Sequence, residues 1–193
     1  CSFWNGFDAN LIEVYKYNKE KQEYIFFKNI ENFFEKNNSG INLITINNEK
    51  ELVCSNYSDE KIIFLDIPSF QINLIIKNIN NESFSTSITY DEKNNLLFTC
   101  GERISVIDTK THKILGCFDL DIKGVSIFQK SNGNLLIGTD GNKNIKLNDN
   151  IDDALFEFDY SKERNNMKVM NLNENNFATL AITELFDGKI ATA

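Results

Sequence analysis

Short apolar runs crowd together in "NNLLFTCGERISVIDTKTHKILGCFDLD", Asn94 to Asp121. LLFTC, ISVID and KILGCF are separated only by GER and TKTH. Runs this short, rich in β-branched and aromatic residues and bounded by polar residues, read as strands. Spacers this short join neighbouring strands antiparallel, because a parallel return needs a long crossover. Such a chain must fold into meander sheets. Long stretches of helical period are absent, and ENFFEKNN (Glu31 to Asn38) is read as one helical turn at most.

The same four-strand unit recurs along the chain. Its strands are designated a, b, c and d. INLITI, ELVCSN, KIIFLDI and FQINLIIKN supply one copy between Ile41 and Asn78. FSTSITY, NLLFTCG, RISVIDT and HKILGCFD supply the next, Phe84 to Asp119. A third begins with IKGVSIFQ and NLLIGTD and resumes after an excursion with ALFEFDY and NMKVMNL. NIKLND (Asn144 to Asp149) is an alternative strand c for that copy. ALFEFDY is preferred because SKERN then closes a c–d hairpin as DTKTH does. At the front, CSFWNG reads as b, LIEVYKY (Leu11 to Tyr17) as c and EYIFFKNI (Glu23 to Ile30) as d. At the back, FATLAITEL and GKIATA read as a and b. The units are 1–35, 41–79, 84–120, 122–173 and an incomplete 177–193. Their spacing of roughly 40 to 50 residues belongs to propeller blades rather than helical solenoids. Strand c ends in an apolar-Asp pair at Leu65-Asp66, Ile107-Asp108 and Phe158-Asp159, with Lys16 at that place in the first unit. An Asp there can accept bonds from the amides of the following turn. Strand b carries paired apolar residues at Leu52-Val53, Leu97-Phe98 and Leu136-Ile137.

These units resemble the blades of WD40-like β-propellers, and NLLFTCGERISVIDTKTHKILGCF carries most of the likeness. The resemblance implies an all-β propeller of four-stranded antiparallel meander blades. It also implies a non-catalytic scaffold that presents loops to other proteins in a larger assembly. The family's Gly-His before strand a and Trp-Asp at the end of c are missing, and the sole Trp and His are Trp4 and His112. A multi-sheet β-sandwich accounts for the strands but not for their four-strand period. About four blades are covered, fewer than the seven usual in the family, although propellers span four to eight. Because raw sheet edges invite aggregation, the chain is expected to be a segment of a larger, seven-bladed ring.

Composition removes several function classes. With 20 Lys and Arg against 28 Asp and Glu, the net charge is −8, and Arg occurs only at Arg103 and Arg164. A nucleic-acid groove needs clustered cations, so no nucleic-acid partner is expected. Phosphoinositide-binding propellers carry Phe-Arg-Arg-Gly, and Arg-Arg does not occur here; lipid binding is kept as an alternative. Cys1, Cys54, Cys100 and Cys117 lie far apart with no C-x-x-C, so no zinc site is expected. Cys54, Cys100 and Cys117 fall in strand-like runs and are read as core thiols, which points to a reducing cytoplasmic or nuclear setting. No run approaches the roughly 20 apolar residues of a membrane span. No signal peptide is visible in a chain that opens on CSFW.

No catalytic motif, cofactor loop or metal set emerges. G-x-S-x-G is absent, and a Ser-His or Cys-His pair would have to use His112, which falls in a solvated c–d turn. A glycosidase-like carboxylate pair is the enzymatic alternative, but no spacing singles out two carboxylates. In DGNKNIKLNDNIDD, Asp140, Asn142 and Asn144 match the first EF-hand ligand positions. Ile145 and Ile151 stand where Gly and Glu are required, so this is read as a surface loop. The candidate binding residues are therefore those of that excursion, Asn142, Lys143, Asn144, Asp149, Asp152 and Asp153. To them is added the adjacent aromatic pair Phe33 and Phe34. These two are read chiefly as packing against their own blade.

Overall fold

The computed structural model describes residues 11–31, 41–56, 61–77, 87–101, 103–120, 124–139, 155–160, 167–169 and 181–192. Every regular element among them is a β-strand. A hairpin of β1 (Leu11–Asn18) and β2 (Glu23–Glu31) comes first. The first full sheet is β3 (Ile41–Ile46), β4 (Glu51–Asn56), β5 (Lys61–Asp66) and β6 (Ile72–Lys77). The second is β7 (Ser87–Asp91), β8 (Leu96–Cys100), β9 (Arg103–Asp108) and β10 (Lys113–Asp119). The third is β11 (Gly124–Gln129), β12 (Leu135–Thr139), β13 (Leu155–Phe158) and β14 (Met167–Val169). A hairpin of β15 (Ile182–Glu184) and β16 (Ile190–Thr192) comes last. Each full sheet is an antiparallel meander in chain order. β13 pairs with β12, so ALFEFDY supplies strand c of the third sheet; Asn144 to Asp149 lie outside the described residues.

The sheets stack face to face in sequence. Their inner strands adjoin in series, β3 with β7, β7 with β11 and β11 with β15. Side-chain alternation divides each middle strand between two neighbours. Along β5, Ile62 and Phe64 join the seam with the second sheet, while Ile63 and Leu65 join the seam with the β1–β2 hairpin. Along β8, Leu97 faces the first sheet, and Phe98 and Cys100 face the third. This is why strands b and c read as continuous apolar runs: both their faces are covered. The outermost strands β6 and β10 alternate between exposed and half-buried residues instead. Cys117 lies on β10 and is exposed, so it is not a core thiol; Cys54 and Cys100 are buried.

Turns make the a–b and c–d connections, which lie at one end of the stack. Asn47, Asn48, Glu49 and Asn95 hold positive φ in the a–b turns, as does Gly133 in the third sheet. Asn tolerates that region better than most residues, which suits it to these turns. The c–d turns repeat more closely. Asp108 Oδ1 accepts from the amides of Lys110 and Thr111, at 2.7 and 3.1 Å. Asn18 Oδ1 does the same for Glu20 and Lys21, at 2.9 and 3.2 Å. His112 and Gln22 then take positive φ before strand d. The first unit therefore keeps the turn device at Asn18 rather than losing it at Lys16, because an amide oxygen accepts as a carboxylate does. The two amides hold the Asp108 carboxyl below the usual carboxylate range. Asp66 closes its turn differently, accepting from Ser69 Oγ at 2.7 Å.

Candidate functional site

The turn end of the stack carries the densest polar chemistry among the described residues, and it lies in the seams between sheets. At the first seam, Asn47 Oδ1 accepts from Tyr90 Oη and Thr109 Oγ1 of the second sheet, each at 3.3 Å. Asn47 Nδ2 donates to Glu51 Oε2 at 2.5 Å. His112 Nε2 lies 3.4 Å from Glu51 Oε1, and its ring meets Phe64 edge-on with centroids 4.8 Å apart. His112 is thus not a solvated turn residue. It reaches back across the seam to the first sheet, a contact its own turn gives no sign of.

The second seam turns on Asp91, at the end of β7. Its carboxylate accepts from the Asn94 amide at 3.0 Å and from Asn94 Nδ2 at 2.8 Å within its own turn. Across the seam it accepts from Gln129 Nε2 at 2.8 Å and Tyr160 Oη at 3.3 Å. Burial pulls the Asp91 carboxyl upward, but the bonds from Asn94, Gln129 and Tyr160 outweigh it and leave the pKa below the ordinary value. Burial and the nearby Asp91 charge push the Tyr160 phenol the other way. Neither group exchanges a proton near neutral pH, so the pair acts as a latch. Beside it, Glu157 Oε1 accepts from Asn134 Nδ2 at 2.8 Å and pairs with Lys130 Nζ at 3.0 Å. Those bonds, Asn134 first, hold the Glu157 carboxyl down against the effect of burial. A third seam repeats the plan with reversed polarity, since Ser131 donates its amide and hydroxyl to Glu184 at 2.7 and 3.0 Å.

Between the second and third sheets these groups frame an open cleft of about 490 Å³, with Lys93, Asn132, Asp159 and Tyr160 on its walls. A second one of about 430 Å³, rimmed by Glu49 and Glu92, sits over the first seam. Ser131 lines the larger cleft and holds Glu184, two residues before Phe186. Phe186 is fully exposed at the tip of the β15–β16 turn. Sequence reasoning missed it; its one signal was an aromatic inside the turn sequence Leu185-Phe186-Asp187-Gly188. Phe33, Phe34, Asn142, Lys143, Asn144, Asp149, Asp152 and Asp153 all lie outside the described residues. Among the described residues no group of three His, Cys, Asp or Glu side chains is placed to hold a metal ion. Among the described residues no helix is long and apolar enough to cross a membrane.

The latch has an acid signature. The folded pKa of Asp91 is depressed, so its contribution is full above the unfolded value of about 3.9 and is lost as pH falls through the folded value. Asp91→Asn turns an acceptor into a donor facing Gln129 and Asn94. The expected cost at pH 7 is about 1–3 kcal/mol, with a flatter stability profile below about pH 4 than the wild type. Urea titrations of both chains across that range check it, and an unchanged acid limb would rule out the latch.

No protein-family model matches the chain, and no curated protein does. Solved structures do. Hydrazine synthase from Kuenenia stuttgartiensis superposes with a TM-score of 0.62 at 12% identity, over 78% of this chain and 40% of that one. The WD40 β-propeller domain of Doa1 superposes with a TM-score of 0.55 at 15% identity, over 69% of this chain and 42% of that one. The chain thus spans well under half the length of either. With three stacked four-stranded meanders, the fold is that of β-propeller blades.

Proposed function

We propose that the chain is a non-catalytic propeller scaffold that presents its turn end to partner proteins, as part of a larger ring. The observation that supports this most is the latched turn face. Side-chain bonds across three successive seams fix the turns relative to one another, and a fully exposed Phe186 stands beside the polar cleft. Rigidly held loops with a projecting aromatic suit partner recognition, in which aromatic anchors supply most of the binding energy. A cytoplasmic or nuclear setting is part of the reading. Burial pushes the Cys100 thiol up to about 12 and the Cys54 thiol upward as well, so both are inert in the fold.

The test is affinity capture with the wild type, Phe186→Ser and Lys93→Glu. A protein recovered in stoichiometric amount by the wild type and lost with either variant, at unchanged melting temperature, is the expected result. Surface changes of this kind alter stability by about 0.5 kcal/mol or less, so the comparison isolates binding. Turnover of aryl glycosides by the wild type would favour the carboxylate-enzyme alternative. Binding to phosphoinositide vesicles without a protein partner would favour the lipid one.

A further inference from the structure

Ser55 Oγ and Thr99 Oγ1 are buried hydroxyls without a hydrogen-bond partner, and both residues are 0% exposed. Alternation places them in one seam. Val53 on β4 and Leu97 on β8 pack between the first and second sheets, and Ser55 and Thr99 follow two residues later on the same faces. Cross-strand register agrees. Ser55 stands opposite Ile62 and Thr99 opposite Ile88, both members of that seam. The other cross-strand neighbour of Thr99 is Ser105, also 0% exposed, whose hydroxyl lies 3.5 Å from Cys117 Sγ. Ser105 shares its face with Ile107, which packs in the same seam. Hydroxyl side chains thus line the first seam at the end away from the turns.

The repeat sets Ser55 and Thr99 against each other. Leu52, Leu97 and Leu135 hold one position in the three sheets, each opposite the residue that precedes Asp66, Asp108 or Asp159. Counting from them, Ser55 matches Cys100, and Thr99 matches Ile137. Cys100 and Ile137 are neighbours across the second seam, since a Cβ on Gly124 would lie 2.1 Å from Cys100 Sγ and 3.0 Å from Ile137 Cγ2. The first seam therefore pairs a serine with a threonine where the second pairs a thiol with an isoleucine. The second seam is filled there by apolar side chains, Ile104, Ile127 and Phe156 among them. Ser and Thr take up less volume than Cys and Ile between sheets about 10 Å apart, and they leave polar atoms facing the space.

We propose that Ser55 Oγ and Thr99 Oγ1 hold an ordered water between them, so that the first seam carries a hydrated joint inside its apolar core. A hydroxyl both donates and accepts, so one water can bond to both groups. Buried waters occupy sites of this kind, polar and roomy, where they satisfy groups that the protein leaves unbonded. The joint lies at the opposite end of the stack from the Asn47 and Asp91 latches, and it is independent of any partner of the turn face.

A high-resolution crystal structure of the protein tests it, together with urea titrations of Thr99→Val and Ser55→Ala. Density for a water about 2.5–3.0 Å from both oxygens is the expected result. Thr99→Val keeps the shape but leaves the water one bond short. It should lower the folding equilibrium constant about two- to tenfold. The double variant should lose less than the two single losses together, because the second substitution acts on a bridge already broken. In a dry seam Thr99→Val would remove an unpartnered polar group and raise the midpoint instead. A wild-type seam without water, a direct bond between the two hydroxyls, or a midpoint that does not fall with Thr99→Val would each overturn the proposal.

Discussion

Phe98→Ala is expected to destabilise the chain by about 3–5 kcal/mol, the range for removing a fully buried aromatic ring. Phe98 is 0% exposed on β8 and sits in the seam between the second and third sheets. Its neighbours there include Cys100, Ile104, Ile127, Ile137 and Phe156, drawn from both sheets, and the Tyr160 ring lies 4.8 Å away. The cost has two parts, the lost transfer energy of the ring and a cavity that two stacked sheets cannot collapse without disturbing the Tyr160–Asp91 bond above it. Equilibrium denaturation should therefore show a large fall in midpoint. Phe186→Ala, at an exposed Phe, should move it by about 0.5 kcal/mol or less. A Phe98 effect under about 1 kcal/mol would mean that the seam is not packed as described.

Gly124→Ala is the second large effect, and it arises from overpacking. A Cβ on Gly124 would lie 2.1 Å from Cys100 Sγ, 3.0 Å from Ile137 Cγ2 and 3.4 Å from the Gly101 carbonyl oxygen. The Cys100 sulfur is one rotatable bond from the backbone and fully buried, so it has little room to move. Gly124 is also tied to the second sheet, its amide donating to the Gly101 carbonyl at 2.8 Å, so β11 cannot simply step away. The expected loss is about 1–3 kcal/mol or more. Cys100→Ala removes the atom in conflict. The double variant Cys100→Ala with Gly124→Ala should be more stable than the sum of the two single losses by about 0.5–3 kcal/mol. The remaining contact with Ile137 keeps the rescue incomplete. Additive losses in a double-mutant cycle would show that sheets two and three do not meet through this pair.

Strand order and sheet membership were legible in the sequence because the signals for them are local. Alternation, short polar turns and the strand b pair Leu97-Phe98 all lie within one blade. Contacts between blades were not legible. His112 read as a turn residue because Glu51 and Phe64, which receive it, belong to the preceding sheet. Asp91 read as one turn residue among many, since Gln129 and Tyr160 reach it only after the third sheet stacks. Cys117 looked like Cys100 because both stand in apolar runs; only the position of β10 at the outside of its sheet separates them. The turn of the first unit was placed two residues early because an apolar-Asp pair was sought where Tyr17-Asn18 does the work.

The three latches are built from different residue sets, the first two sharing only a tyrosine hydroxyl donor. Asn47 receives Tyr90 and Thr109, Asp91 receives Gln129 and Tyr160, and Ser131 gives to Glu184. Each joint asks only that a donor on one blade meet an acceptor on the next, and it consults no blade further away. Such a scaffold is written in a loose grammar: a joint can be rephrased by changing two or three side chains while the others keep their wording. Nearest-neighbour stacking of this kind lets the blades diverge independently. It suits a backbone that superposes on a WD40 β-propeller domain at 15% identity without the Trp-Asp and Gly-His pairs of regular WD40 blades.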